Sequence, residues 1–151
     1  MDLNILTNDK KIKYFNLAKY IGDNFSKDPN TKVGSLLLYP DTLQIISTGY
    51  NGFPRNINEN PERWERPPKY NYVVHAEMNM IYNSAKNGSS INGSIAVITL
   101  FPCNNCALAL IQSGVSNILT SEPDFNDLKW GKSFKMSYDI LTEANINIIY
   151  I

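Results

Sequence analysis

Short β-rich runs alternate with helical segments through the second half of the chain, and this alternation restricts the fold more than any other feature. Periodicity and flanking residues predict three helices, at 75–86, 103–113 and 132–144. Between and after them lie three strand-length runs, at 95–100, 115–120 and 146–151. Strands joined through a helix run parallel in one sheet, with helices covering its faces. The second half therefore predicts a three-layer α/β domain.

The first half adds one helix and two strands. Helical spacing of apolar residues predicts a helix at 10–25, and apolar runs predict strands at 33–39 and 43–50. The turn-forming stretch between these strands is short, so we expect them to be antiparallel. A length of 151 residues fits one domain, which we take to be residues 1–151.

The segment from Asn51 to Tyr72 does not fit this alternation. It carries four prolines together with Trp64 and three arginines. A loop of this length in a compact domain is usually functional or disordered. Its aromatic and arginine content favours an ordered flap or an interface, and a solvated insertion is the alternative. We refer to residues 51–72 below as the proline-rich segment.

Both cysteines of the chain lie in one stretch, LFPCNNCALAL. Pro102 suits the first turn of a helix, and Cys103 and Cys106 then share one face of that turn. The positive end of a helix favours thiolates, and two thiolates are half of a zinc site. A catalytic zinc needs a third protein ligand and keeps a fourth position for water. His75, the one histidine, also begins a predicted helix and supplies that ligand.

Glu77 lies two residues after His75, on a different side of the helix from the ligand. Zinc lowers the pKa of a bound water to about 7, so hydroxide forms at neutral pH. We expect Glu77 to take up the proton and pass it to the ring nitrogen and the leaving group of the substrate. The pattern H-x-E followed by P-C-x-x-C is the known signature of zinc-dependent nucleobase deaminases.

Other interpretations of these residues exist. A C-x-x-C pair can be a redox dithiol, but that leaves His75 and Glu77 unexplained. A closed structural zinc site needs a fourth ligand, and no cysteine or histidine remains to supply it. Considered alone, His75 reads as a core histidine and Glu77 as a surface charge. We favour the catalytic zinc because it uses all four residues.

Four stretches extend the match beyond the zinc motif: FSKDPNTKVG, GYNGFPRN, VVHAEMN and LFPCNNCALALIQSGV. In this order and spacing, from about Phe25 to Val115, the chain resembles the deoxycytidylate (dCMP) deaminases. The resemblance implies a cytidine deaminase-like fold, a three-layer α/β/α sandwich with a five-stranded mixed sheet. It implies hydrolysis of dCMP to dUMP and ammonia, which supplies dUMP for thymidylate synthesis. It also implies one catalytic Zn²⁺ per chain, held by His75, Cys103 and Cys106, with Glu77 as the proton shuttle.

The resemblance extends to the substrate. Asn51 matches the residue that holds the sugar, and a side-chain amide can both donate to and accept from a hydroxyl. The backbone around Ala76 and around Phe101 and Pro102 is expected to contact the pyrimidine edge. The 5′-phosphate is expected at the SKDPN turn, where donors are offered by Ser26, Lys27 and Asn30.

Many members of the resembled family are hexamers, activated by dCTP and inhibited by dTTP between subunits. A triphosphate effector of this kind can bring Mg²⁺ with it. Tyr50, Gly52 and Arg55 lie in the corresponding GYNG region. Gly49 and Gly52 would let the backbone approach a phosphate, or they merely shape the turn that leaves a strand. Glycine is common in relatives where this chain has Asn56.

Composition limits the partners. A formal net charge of zero gives no reason to expect nucleic acid, and no apolar run reaches the ~20 residues of a membrane span. The N-terminus shows no signal-peptide pattern, and two closely spaced thiols suit a reducing cytoplasm. Alternatives to dCMP as substrate are dCTP, cytidine or a base in a polynucleotide. A zinc-bearing regulatory module without turnover is a further alternative, and Glu77 counts against it.

Overall fold

The computed structural model describes residues 5–151. The signal-peptide and single-domain predictions also involve residues 1–4, which lie outside the described residues. The helices and strands are α1 (Asn8–Phe25), β1 (Gly34–Leu38), β2 (Ile45–Tyr50), α2 (Lys69–Tyr72), α3 (Ala76–Lys86), β3 (Ile95–Ile98), α4 (Asn104–Gln112), β4 (Asn117–Thr120), α5 (Gly131–Glu143) and β5 (Asn147–Tyr150). Each element predicted from the sequence is present, with ends shifted by at most two residues. Among the described residues, no helix has the length and apolar character needed to cross a membrane.

The five strands form one sheet in the order β2-β1-β3-β4-β5. β1 and β2 are antiparallel, and β3, β4 and β5 are parallel neighbours, as predicted. β1 also pairs with β3, in antiparallel orientation. That pairing makes the sheet mixed, which confirms the five-stranded mixed sheet.

Apolar clusters lie on both faces of this sheet. On β1, Leu37 belongs to the cluster that includes residues of α3, α4 and α5, whereas Leu36 and Leu38 belong to the cluster that includes residues of α1. The central strands β1, β3 and β4 are buried at every position. Strands covered on both faces read as continuous apolar runs, which explains their sequence. The arrangement is the expected α/β/α sandwich.

The proline-rich segment is ordered and contains two short helical pieces that the sequence did not predict. A 3₁₀ turn spans Pro61–Trp64, and α2 follows at Lys69–Tyr72. The ring of Trp64 stacks on Phe53, with centroids 4.3 Å apart. The guanidinium of Arg63 lies 4.6 Å from the ring centre of Tyr72. These contacts support the ordered flap over the solvated insertion.

A close contact between β2 and α3 sets the position of the helix that carries Glu77. A Cβ atom on Gly49 would lie 2.2 Å from the carbonyl oxygen of Ala76, so only glycine fits there. Next to it, Ser35 Oγ donates a hydrogen bond of 2.8 Å to the same oxygen. Gly49 therefore serves neither as a turn residue nor as a phosphate contact: it lets α3 pack directly on the sheet.

Candidate metal centre and active site

The predicted metal ligands come together at the N-termini of two helices. His75 is the N-cap of α3, Cys103 is the N-cap of α4, and Cys106 lies in the first turn of α4. The Nδ1 atom of His75 is 3.5 Å from Cys103 Sγ and 3.4 Å from Cys106 Sγ. Pro102 was expected inside the first turn, and this is wrong. It precedes the N-cap, because Cys103 has the extended backbone of a capping residue.

These distances fit a tetrahedral metal site. With Zn–S near 2.3 Å and Zn–N near 2.0 Å, tetrahedral angles separate a ligating nitrogen from a ligating sulfur by about 3.5 Å. The ligand atoms of His75, Cys103 and Cys106 all lie within 4.8 Å of one another. One nitrogen and two sulfurs are ligands that zinc prefers. The three residues therefore fit a zinc ion with one position left for a non-protein ligand.

The charge state of the thiols also fits a bound zinc ion. The hydrogen bond from Cys106, with a further contribution from His75, lowers the pKa of Cys103 to about 4 against the opposing effect of burial. The pKa of Cys106 is raised, because its thiol donates to Cys103 and is buried. The protein alone thus favours a single thiolate at this pair. A divalent cation compensates the repulsion of a second thiolate, so both sulfurs can bind it deprotonated.

Glu77 is buried, with 5% of its surface exposed, and borders the same cavity as His75. Burial raises the pKa of its carboxyl to about 7, although its own backbone N–H and the charge of His75 act in the opposite direction. Glu77 is not part of the ligand cluster. A carboxyl group with a pKa near 7 can both accept and release a proton at neutral pH.

The cavity next to the metal ligands is lined by several of the predicted substrate residues. Ala76, Phe101 and Asn51 border it, whereas Pro102 does not. The ring of Phe101 is held edge-on by Phe134, with centroids 5.7 Å apart. Ala76 and Phe101 therefore lie next to the metal ligands, and their backbone contacts with a pyrimidine stay a prediction.

Asn51 organises the cavity wall through its side-chain amide. Its Nδ2 donates to Asp28 Oδ2 at 2.9 Å and to the Thr31 carbonyl at 2.8 Å. Its Oδ1 accepts from the backbone N–H of Val33 at 2.8 Å and from Ser26 Oγ at 3.0 Å. The amide is thus bonded within the protein at both ends, and its contact with a sugar stays a prediction.

The three residues predicted to bind phosphate are not among those that line the cavity. Ser26 is buried and donates to the backbone carbonyl of Asn51 at 2.7 Å. Lys27 is exposed and forms an ion pair of 2.9 Å with Glu59. Asn30 is exposed, and none of the three is a lining residue. From this turn, the side of the cavity is formed instead by Asp28 and Thr31.

The sequence motifs missed a second group of lining residues. The proline-rich segment and the loop before α5 contribute two aromatic and three cationic side chains to the cavity: Arg66, Lys69, Tyr70, Lys129 and Trp130. The Trp130 ring lies nearly perpendicular to the imidazole of His75, with centroids 6.5 Å apart. The concentration of aromatic and arginine residues in the proline-rich segment was the one available signal.

A second cavity lies on the other side of the GYNG region. Tyr50 and Arg55 line it, with Asn83 of α3 and others. Arg55 Nη2 donates to Asn83 Oδ1 at 2.6 Å. Gly52 does not line this cavity but pairs through its backbone with Val74. Asn56 has a φ of 65°, a left-handed conformation that asparagine and glycine both tolerate, so either residue fits the backbone at this position.

Solved structures with the same fold include nucleotide deaminases. The structure of dCMP deaminase from the cyanophage S-TIM5, in complex with dCMP and dUMP, superposes with a TM-score of 0.77 at 23% identity. The match covers 96% of this chain and 98% of that one. The fold is therefore that of the cytidine deaminase-like proteins.

Sequence comparison gives the family. The family model described as the cytidine and deoxycytidylate deaminase zinc-binding region matches residues 8–122, and the chain belongs to this family. An uncharacterized deaminase in the luxG 3′ region of Aliivibrio fischeri is 31% identical over 140 residues, covering 92% of this chain and 91% of that protein. The deoxycytidylate deaminase of Enterobacteria phage T2 is 39% identical, with 87% of each chain covered. The resemblance found from the motifs is confirmed.

Proposed function

We propose that this protein catalyses the zinc-dependent hydrolysis of dCMP to dUMP and ammonia, with one zinc ion per chain, and so supplies dUMP for thymidylate synthesis. The observation that carries the proposal is a buried carboxyl group, Glu77, next to a histidine and two cysteines spaced for zinc. Relatives named as deoxycytidylate deaminases support dCMP as the substrate. The two free thiols suit a reducing cytoplasm.

Each residue of the site has its own role in the proposed reaction. His75, Cys103 and Cys106 would hold the zinc ion, which would supply the Lewis acidity that makes water a nucleophile at neutral pH. Glu77 accepts a proton from the attacking water and delivers it to N3 of the pyrimidine. Glu77 then takes the remaining proton from the new C4 hydroxyl and passes it to the amino group, so that the C4–N4 bond breaks, ammonia leaves and C4 becomes the carbonyl of uracil.

The walls of the cavity orient the base for this attack. Phe101 contributes to the wall beside the base, and the backbone N–H of Ala76, at the start of α3, is the donor for the pyrimidine edge. Asn51 and the neighbouring backbone place the sugar. Enclosure of the reacting atoms next to buried Glu77 strengthens each of these hydrogen bonds.

The substrate is tested with the zinc-loaded protein. The loss of cytosine absorbance is followed with dCMP, dCTP, cytidine, deoxycytidine and a single-stranded oligonucleotide. Fast loss with dCMP alone supports the proposal. Preference for dCTP, for a nucleoside or for the oligonucleotide assigns the alternative substrate, and no turnover of any of them rejects the deaminase function.

We also propose regulation at the second cavity, with dCTP as activator, accompanied by Mg²⁺, and dTTP as inhibitor, in a homohexamer. Asn79 Nδ2 donates to the carbonyl oxygen of Tyr50 at 2.7 Å. Because Asn79 and Asn83 are on α3, this cavity adjoins the helix that begins at His75. A bound triphosphate would act on that helix.

Regulation and assembly are tested together. The rate with dCMP is measured with and without dCTP plus Mg²⁺, and with dTTP. Arg55→Gln is expected to weaken both responses, and Lys86→Gln, an exposed change elsewhere on α3, serves as the control. A rate indifferent to both nucleotides removes the regulatory proposal. Light scattering determines whether the protein is a hexamer.

A further inference from the structure

Three cationic side chains border the cavity that contains the metal ligands. Arg66 and Lys69 come from the proline-rich segment, and Lys129 comes from the loop before α5. They belong to parts of the chain that have no connection in sequence to the zinc motif. Their convergence on one cavity therefore calls for a ligand that the metal centre alone does not explain.

One of the three cations is already neutralised. Lys69 Nζ forms an ion pair of 2.5 Å with Asp28 Oδ2, and the exposed fractions of the two side chains are only 7% and 1%. Arg66 and Lys129, in contrast, form no ion pair with any carboxylate among residues 5–151. Two cationic side chains of the cavity wall thus have no ion-pair partner among the described residues.

The phenol of Tyr70 lies among these cations. Lys129 Nζ donates a hydrogen bond to the hydroxyl oxygen of Tyr70 and lies 4.8 Å from the centre of its ring. That hydrogen bond, followed by the charges of Lys129, Arg66 and Lys69, lowers the pKa of Tyr70. The positive charges therefore act on one small region of the cavity rather than at scattered points.

We infer that Arg66 and Lys129, together with the Tyr70 hydroxyl, bind the phosphate monoester of a nucleoside 5′-monophosphate whose base lies at the metal centre. This inference rests on the proposed function for the identity of the base. A phosphate monoester carries close to two negative charges at neutral pH, which matches two unpaired cations. Arginine and lysine are the side chains that bind phosphate most strongly, arginine through a planar pair of donors.

The alternative phosphate site, at the SKDPN turn, fits the structure less well. Lys27 already has a carboxylate partner, Glu59, and does not line the cavity. The hydroxyl of Ser26 is used by Asn51. A phosphate there would have to displace both contacts, whereas Arg66 and Lys129 are available as they stand.

The test compares substrates that differ only in the phosphate. For the variants Arg66→Gln, Lys129→Met and the pair combined, kcat/KM is measured with dCMP and with deoxycytidine. Binding of dUMP and of deoxyuridine is measured by calorimetry on the same zinc-loaded proteins. All substituted side chains are exposed, so the variants are expected to fold. Lys132→Met removes a charge from an exposed side chain that does not line the cavity and is the matched control.

Each single variant is expected to lose about 10- to 100-fold in kcat/KM for dCMP and in dUMP affinity, as expected for one charge-assisted hydrogen bond. The values for deoxycytidine and deoxyuridine are expected to change by less than about threefold, since these ligands have no phosphate to lose. The control is expected to behave as the wild type with all four ligands.

Several results overturn the inference. One is that the double variant binds dUMP as tightly as the wild type does, and another is that the wild type does not bind dUMP at all. A third is that Lys27→Met, and not the Arg66 or Lys129 variants, loses kcat/KM specifically for dCMP. A wild-type preference for a single-stranded oligonucleotide over dCMP also overturns it, because the cations would then contact a phosphodiester. If the wild type does not deaminate dCMP but its dUMP binding depends on Arg66 and Lys129, the proposed reaction fails and the phosphate site stands.

Discussion

The buried ion pair between Lys69 and Asp28 gives a prediction whose size follows from the structure. Replacing Lys69 by methionine keeps the length of the side chain but leaves the Asp28 carboxylate buried without a cation. Removing one partner of a buried pair costs about 3–5 kcal/mol. The carboxylate keeps hydrogen bonds from the backbone N–H groups of Asn30 and Thr31 and from Asn51 Nδ2. We therefore expect the lower end, about 3 kcal/mol in the free energy of unfolding.

The dependence of this loss on pH tests its cause. Burial acts to raise the pKa of Asp28, but the hydrogen bonds from Lys69, Asn30 and Thr31 and the charge of Lys69 outweigh it, and the pKa is lowered. A lowered carboxyl pKa stabilises the fold above about pH 4, and that stability is lost as the pH falls through the folded-state value. Without Lys69, its hydrogen bond and its charge no longer lower the pKa of Asp28, which rises relative to the wild type. The variant therefore loses less stability than the wild type as Asp28 is protonated, and its deficit shrinks as the pH falls through the Asp28 pKa of the variant and then that of the wild type.

Urea unfolding at several pH values, with the wild type and the variant compared under identical conditions, measures this deficit. A loss of 3 kcal/mol lowers the melting temperature by roughly 6–12 °C in a chain of this size. Adding Asp28→Asn to Lys69→Met removes the unpaired charge and is expected to recover part of the loss. The exposed control Lys132→Met is expected to change stability by less than about 0.5 kcal/mol. A deficit below about 1 kcal/mol, or one that does not vary with pH, refutes the reasoning.

Three further predictions concern the catalytic centre. Glu77→Gln is expected to abolish turnover and to leave one zinc per chain, because it removes the proton carrier and no ligand; loss of the metal in this variant, seen by elemental analysis, contradicts the role. Gly49→Ala is expected to cost about 1–3 kcal/mol of stability, because the added carbon overpacks against Ala76, and so to lower the melting temperature by roughly 2–12 °C. Because the overpacking would displace the start of α3, kcat is expected to fall about tenfold or more. Gly52→Ala, where an added carbon meets no atom closer than 3.5 Å, is the control for the melting temperature, and equal melting of both variants would argue against the packing role. Removal of zinc by a strong chelator is expected to abolish turnover, and added zinc to restore it; full activity in protein free of metal would exclude the proposed chemistry.

The order of the elements and the metal ligands could be predicted from the sequence because both depend on short-range patterns. Strand-length apolar runs between helical segments restrict the sheet to parallel neighbours in the second half. A soft metal requires sulfur and imidazole ligands, and the chain has only Cys103, Cys106 and His75 to offer. The antiparallel pairing of β1 with β3 was not predicted, since nothing local in either strand specifies the neighbour of a hairpin.

The polar wall of the cavity could not be predicted, because it depends on how irregular segments pack. Lys69 gave no signal in the sequence, and its burial follows from the position of Asp28 in a distant turn. Lys129 lies in a loop without periodicity, and its neighbour Trp130 is placed by the start of α5. Gly49 looked like a turn residue because a lone glycine near the end of a strand does not reveal that a helix lies against it.

The cavity is assembled from parts of different kinds. The proton carrier and the three ligand residues lie at the starts of helices that rest on the sheet, whereas Arg66 and Tyr70 belong to the proline-rich segment and Lys129 to the loop before α5. Changes in the sequence of these segments can therefore alter the substrate preference in the course of evolution. The residues that replace an amino group by oxygen need not change with them. A graft of residues 61–72 and 121–130 from a relative with a different preference would transfer that preference to this scaffold.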